Sequence, residues 1–247
     1  MLKRLLFLTL LLLPLPQALA GAAPAGHGAV SVGYYDFPPY IYSDAHGQVT
    51  GRGAELMRRL LEHAGYRADF HALPSARLYQ ALRDGSVQLW AGAPGKPELA
   101  GFTLECQRSL GEIELSLYRL PNRPAPRLPF DLRGKRLILI SGYNYWKPVT
   151  QFLEDPQLQL NLHRTSTHAA ALQMLMLGRG DYLLDYQGPV EQTRIQLGLP
   201  ELPHERVFRL PVTLIISRQT PDAEQLRQRL DAAYDELSAE GERFYLD

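Results

Sequence analysis

The stretch from Val30 to Gly65 restricts the possible folds of this chain more than any other. Val30-Ser31-Val32-Gly33-Tyr34 alternates apolar and small residues with the period of a strand. Asp36-Phe37-Pro38-Pro39-Tyr40 then ends the pairing, because neither proline has an N–H to give a neighbouring strand. Ile41 to Thr50, turning at Ser43-Asp44-Ala45-His46-Gly47, reads as a small hairpin. Gly51-Arg52-Gly53 releases the chain into a helix whose apolar residues Ala54, Met57, Leu60, Leu61 and Ala64 recur at helical spacing, with Gly65 as its stop. Strand, aromatic loop and helix make a βα unit, and in open α/β sheets the carboxyl end of such a unit lines a ligand crevice.

The pattern repeats downstream. Arg67 to His71 reads as a strand, and Pro74-Ser75-Ala76-Arg77 starts a helix with Ser75 at its N-cap. Gly85 stops that helix, and Val87 to Gly92 is a further strand. The order β-α-β-α-β favours a parallel sheet. Ile113 to Tyr118 adds a strand, and the proline-rich segment Pro121 to Pro129 is a stiff connector. A second unit follows: a strand at Arg136–Ile140, a turn through Tyr143-Asn144-Tyr145-Trp146 and a helix to Leu153, then alternation over Leu158 to Leu162. Thr165-Ser166-Thr167 caps the next helix, Asp181 to Tyr186 is a strand, and Gly188 to Leu197 is a helix. The last strand, Val212 to Ile216, and the last helix, from Pro221-Asp222 to Gly241, have no partner in that second unit. They are expected to return to the first. The expected fold is therefore α/β with two lobes, each a mostly parallel sheet flanked by helices, and a cleft between them. Lobe 1 spans 28–118 and 211–247, lobe 2 spans 122–208, and the hinges lie near 116–122 and 209–212.

Residues 1–20 have the layout of a cleavable export signal: Lys3-Arg4, an apolar run from Leu5 to Leu13, and Ala18-Leu19-Ala20 before the cut. The run is too short to cross a bilayer as a helix, so the expected mature protein is periplasmic and monomeric. The 26 basic and 26 acidic residues balance, and no basic stripe appears, which argues against nucleic acid as a partner. Cys106 is the single cysteine, so no disulfide within the chain supports the fold and its cores must do so. No nucleophile elbow, phosphate loop or His-Glu-x-x-His is present, and the seven histidines lack ligand spacing. The sequence thus gives no reason to expect a metal, a cofactor or an enzyme.

In this order, several short segments make the chain similar to solute-binding protein family 3, the amino-acid-type periplasmic binding proteins of ABC importers. They are Phe37-Pro38-Pro39-Tyr40, Leu82-Arg83-Asp84-Gly85, Asp131-Leu132-Arg133-Gly134-Lys135, Leu177-Gly178-Arg179-Gly180-Asp181-Tyr182 with Asp185, and Ala233-Tyr234-Asp235-Glu236-Leu237 near the end. The resemblance implies the type II periplasmic-binding-protein fold and a small polar solute held between the lobes. It implies delivery to the membrane permease of an ABC importer, or alternatively presentation to a membrane sensor. Periplasmic cyclohexadienyl dehydratases resemble the same family and supply a third alternative. One departure stands out. The arginine that grips an amino acid's carboxylate in such proteins is replaced here by Leu99, within Pro94-Gly95-Lys96-Pro97-Glu98-Leu99. A charge-assisted hydrogen bond contributes about 1.5–3 kcal/mol, so its loss weakens the case for an ordinary amino acid. Lys96 or Arg77 could supply a positive charge instead.

The candidate ligand-binding residues are Tyr35, Asp36, Tyr40, Arg77, Tyr143, Asn144 and Asp185. Tyr35 and Asp36 are placed by leaving the first strand's carboxyl end. Arg77 is near a helix start, where the dipole does not favour a cation and a ligand anion would. Tyr143 and Asn144 open a lobe 2 helix whose free N–H groups suit an anion. The resemblance puts a ring against the solute at Tyr40 and assigns Asp185 to an amino group. Trp90 reads as core.

Overall fold

The structure is a computed structural model that describes residues 28–143 and 145–242. The expected export signal at 1–20 and the candidate Asn144 lie outside the described residues. In chain order the strands of the first half are β1 (Ala29–Tyr34), the hairpin strands β2 (Tyr42–Ser43) and β3 (Val49–Thr50), β4 (Arg67–Ala72), β5 (Leu89–Gly92) and β6 (Thr103–Tyr118). Its helices are α1 (Arg52–His63) and α2 (Ser75–Asp84). Next come β7 (Arg136–Ile140), α3 (Lys147–Leu153), β8 (Asn161–Thr165), α4 (His168–Met176), β9 (Tyr182–Tyr186) and α5 (Gln187–Gln196). The chain ends with β10 (His204–Ser217) and α6 (Ala223–Ala239).

Local chemistry explains the helix boundaries. Glu55 lies in the first turn of α1, where the dipole favours an acid, and Ala54, Met57, Leu60 and Leu61 make its buried stripe. Gly85 stops α2 in the left-handed conformation. The Thr167 hydroxyl caps α4 by accepting from the Ala170 N–H at 3.1 Å. Ser75 differs from expectation. Pro74 is the cap, and Ser75 is the first helical residue. Its hydroxyl is drawn away from the helix end to donate to the carbonyl of Gly142, in the second half of the chain.

Eight strands are hydrogen-bonded in the order β4-β1-β5-β10-β6-β9-β7-β8. β4, β1 and β5 are parallel, as are β8, β7 and β9. Between these trios β6 and β10 run antiparallel to each other, from Tyr118 opposite His204 to Thr103 opposite Ser217. The two sheets expected from the sequence are therefore joined through one ribbon. Only the ends of its strands were legible, because Glu105, Gln107, Arg108 and Glu112 break up the apolar run upstream of Ile113.

The C-terminal strand and helix do return to the first half. Thr213–Ile216 of β10 pair with Leu89–Gly92 of β5. Leu226, Leu230 and Leu237 of α6 join Val30, Val32, Leu60 and Leu61 in one core. The second half has its own core around Ile138, Ile140, Leu172, Leu175 and Leu183. β6 changes partners earlier than expected: Leu115–Tyr118 already pair with β9. The hinges expected near 116–122 and 209–212 both touch the β6–β10 pairing, which carries a register shift between Val212 and Thr213.

Gly51 shows how tightly the aromatic loop is fixed. It has φ +102°, and a Cβ there would sit 2.7 Å from the carbonyl oxygen of Pro39 and against that of Tyr40. The Gly53 N–H donates to the Tyr40 carbonyl at 2.6 Å, tying loop to helix. Gly51→Ala should therefore lower the unfolding free energy by more than about 1 kcal/mol, since its backbone conformation is incompatible with a side chain. Urea titration followed by circular dichroism reads this directly.

Candidate functional site

The carboxyl ends of β1, β5, β7 and β9 bring a set of rings together. The chain leaves β1 through Tyr35 and bends back on itself at Phe37, whose N–H donates to the Ile41 carbonyl at 2.7 Å. That bend places the Phe37 and Tyr40 rings in a stack with centroids 5.5 Å apart. From the second half, Tyr143 follows β7 and Tyr186 ends β9. Phe37 meets Tyr186 edge-on at 5.1 Å and Tyr143 at 6.0 Å. Tyr35 lies 5.9 Å from Tyr143 and 6.3 Å from Trp90. Gly188, in the first turn of α5, faces the Tyr40 ring so closely that a Cβ there would collide with it. With the Ser75–Gly142 hydrogen bond, these contacts bridge the two halves.

The rings enclose a cavity of about 60 Å³, also walled by Met57, Ala93 and Lys96. Ordinary ligand clefts hold roughly 300–1,000 Å³, so this space is small by comparison. Two open depressions share residues with it. One, of about 750 Å³, is lined by Tyr40, Arg52, Glu114, Gly188 and Arg209. The other, of about 400 Å³, is lined by Lys96, Glu98, Tyr145 and Lys147.

Behind the Tyr143 ring runs a hydrogen-bonded chain. The Tyr143 hydroxyl is 3.0 Å from His168 Nε2, and His168 Nδ1 is 2.7 Å from Asp185 Oδ2. The other Asp185 oxygen accepts from the Tyr186 N–H at 2.7 Å. Asp185 is fully buried, and burial pushes its carboxyl above the ordinary range while the bond to His168 pulls it back. Burial raises the Tyr35 hydroxyl to about 12 and carries those of Tyr143 and Tyr186 well above their usual value. These phenols thus stay neutral at physiological pH and offer hydroxyls and ring faces, not charge. Lys96 is 7% exposed, and burial lowers its pKa against the opposing pull of Glu98.

Of the residues singled out by sequence, Tyr35, Tyr40 and Tyr143 converge on the cavity. Asp185 stands behind the cavity wall, hydrogen-bonded to His168 and to the Tyr186 N–H. Asp36 is exposed and accepts from the Ser43 N–H at 2.9 Å, bracing the hairpin. Arg77 lies exposed in a shallow depression with His71, Gln80 and Asp84, apart from the rings. Sequence reasoning missed Phe37, Tyr186 and His168. It took Trp90 for core, and Trp90 does pack on Tyr79 at 5.4 Å while also lining the cavity. Leu99 is buried with Leu78, Leu82 and Trp90, a core position with no access to the cavity. Among the described residues no group of three or more His, Cys, Asp or Glu could hold a metal ion.

No family model and no curated protein matches the sequence. Solved structures do match the fold. A histidine kinase sensor domain with similarity to periplasmic binding proteins superposes with a TM-score of 0.73 at 21% identity, over 88% of this chain and 92% of that one. An ancestral arginine-binding protein bound to arginine gives 0.72 at 18% identity, over 87% and 94%. A putative L-cystine ABC transporter protein from Listeria monocytogenes gives 0.70 at 19%, over 87% and 92%. The chain has the periplasmic-binding-protein fold. No helix among the described residues is long and apolar enough to cross a membrane.

Asp185→Ala would leave both the His168 ring nitrogen and the Tyr186 N–H without their acceptor. Each buried group left unpaired costs about 1–3 kcal/mol, so this variant should be clearly less stable than wild type. Asp185→Asn, which keeps an oxygen for the Tyr186 N–H, should lose less. Paired urea titrations compare the two.

Proposed function

We propose that this protein is an exported solute-binding protein, which captures a small polar solute between two lobes and presents the closed form to a membrane partner. The observation that carries the proposal is the set of contacts bridging the halves around one cavity: Ser75 to Gly142, Tyr40 to Gly188, and Tyr35 and Phe37 to Tyr143 and Tyr186. A solute there touches both halves at once. Only the closed form offers both sets of contacts, so binding shifts the population towards it. Lobe 1 holds β1 to β5 with the C-terminal strand and helix. Lobe 2 holds β7 to β9. The β6–β10 ribbon flexes between them, near 111–115 on one strand and 209–213 on the other.

Tyr35, Tyr40 and Tyr143 are the solute contacts in this reading, and Asp185 acts through His168 by holding the Tyr143 hydroxyl. Delivery to an ABC importer is the main reading. Its support is the likeness to binding proteins of such systems. The similarity to a sensor domain favours a second reading, in which the closed form is read by a membrane sensor. Catalysis has less support, since the phenols facing the cavity are held neutral.

The test is a thermal-shift screen of the mature chain over amino acids, organic acids, polyamines and short peptides, with small-angle scattering on each hit. A ligand at a hundred times its dissociation constant should raise stability by about 2.7 kcal/mol and reduce the radius of gyration. Stabilisation without compaction would contradict closure between lobes.

A further inference from the structure

We propose that this protein pairs weakly with a second copy of itself through a face of its second half, the ring of Phe130 in each copy entering an apolar pocket on the other. This goes beyond solute capture and takes the place of the monomer expected from the sequence.

The pocket holds about 240 Å³, and its wall is made of apolar residues alone. Leu117 of β6, Leu184 of β9 and Leu132 are its buried part. Phe152 of α3 with Val207 and Phe208 of β10 are half-buried around it. Water in such a space finds no hydrogen-bond partner, whereas an apolar cavity of about 150 Å³ already takes up benzene. A phenyl ring with its methylene stem therefore suits the space.

Phe130 is the ring that the surface offers. It opens a short 3-10 turn, Phe130–Leu132, so that Pro129 before it and Leu132 after it are both on the pocket wall. At 78% exposed it is the most open large apolar side chain among the described residues. Phe102, the other exposed phenylalanine among them, has the Arg83 guanidinium 4.8 Å over its ring. Phe130 has no such cover and takes no part in the wall that it adjoins. An exposed knob beside a hole that it does not fill makes a surface able to complement itself. About a two-fold axis the same patch meets its own image, and each knob then faces the hole of the other copy.

Charge also favours a second copy as the occupant. Arg127 and Asp131 stand on either side of Phe130 in the chain and are paired at 3.2 Å, with side chains 86% and 35% exposed. Each copy thus brings one charge of either sign to the knob. Two facing copies can exchange them, Arg127 of one with Asp131 of the other, so that unlike charges are opposed. A different partner would need both a ring of its own and a matched pair of charges.

Area sets the strength. A phenylalanine buries about 150–250 Å², so two rings and the walls receiving them remove roughly 600–1,000 Å² from water. Stable interfaces bury about 1,200–2,000 Å². The pair is therefore transient and forms at high concentration. Its contacts come from the second half and from the β6–β10 ribbon, which leaves the first half unengaged.

Sedimentation velocity of the mature chain from low micromolar to millimolar concentration tests the proposal. The weight-average sedimentation coefficient should rise with concentration towards that of a dimer. Phe130→Ser, at an exposed position where folding is not at stake, should raise the dissociation constant at least tenfold. In Phe130→Trp the added indole should shift to shorter emission wavelength as the dimer forms, which pairing through another surface would not cause. A monomer at every concentration, pairing of wild-type strength in Phe130→Ser, or a dimer with an unshifted indole would each overturn the proposal. So would a monomer whose indole shifts on phosphatidylglycerol vesicles, since a membrane surface would then be the occupant.

Discussion

The two halves depend on one antiparallel ribbon. β6 and β10 stay hydrogen-bonded from Thr103 to Tyr118 and from His204 to Ser217, so neither half can leave without breaking the ladder. Backbone groups inside a sheet must be paired, which makes this connection more than a tether. Glu114 joins Arg206 at 3.6 Å and Arg209 at 3.4 Å along the ribbon. Those arginines are more than half exposed, and exposed pairs of this kind contribute between zero and about 1 kcal/mol. The ladder is the stronger bond. Register shifts at Arg206/Phe208, Val212/Thr213 and Thr213/Ile215 interrupt it. Bulges bend and twist a strand locally without ending its pairing.

Around the cavity, burial works on the phenols and on the two charged groups in different ways. It raises the phenols further above physiological pH, so they remain neutral ring faces and hydroxyls. It penalises Lys96 and Asp185, one on the wall and one behind it. Asp185 has its compensation inside the protein, from His168 and the Tyr186 N–H. Lys96 has Glu98 close by at the mouth.

Much of this could be read from the residues, and the failures have physical causes. The βα order, the hairpin, the helix over residues 52–63 and the return of the C-terminal strand and helix all follow from periodicity and from glycine and proline placement. The long ribbon did not follow. Its strands have charged residues on their outward faces, so alternation reads as loop until the partner strand is known. At the site, Tyr35 was legible because it leaves a strand end, Tyr143 because it stood at an expected helix start, and Tyr40 only through the resemblance. Tyr186 was not, since every residue of β9 is buried and no face stands out. Arg77 and Asp36 sit at the right places along the chain with side chains directed elsewhere, and direction has no signature in spacing. His168 gave no warning at all, because its importance comes from Tyr143 and Asp185, which are distant in sequence.

The margins of the eight-stranded sheet have a further consequence. β4 and β8 each have one side unpaired. β4 presents exposed Arg67, Asp69 and His71, and β8 presents exposed Asn161, His163 and Arg164. Charged and polar side chains along an open strand oppose the addition of another chain there. The sheet is thereby guarded at both ends against growing into a fibre, even though each margin still offers unused backbone groups.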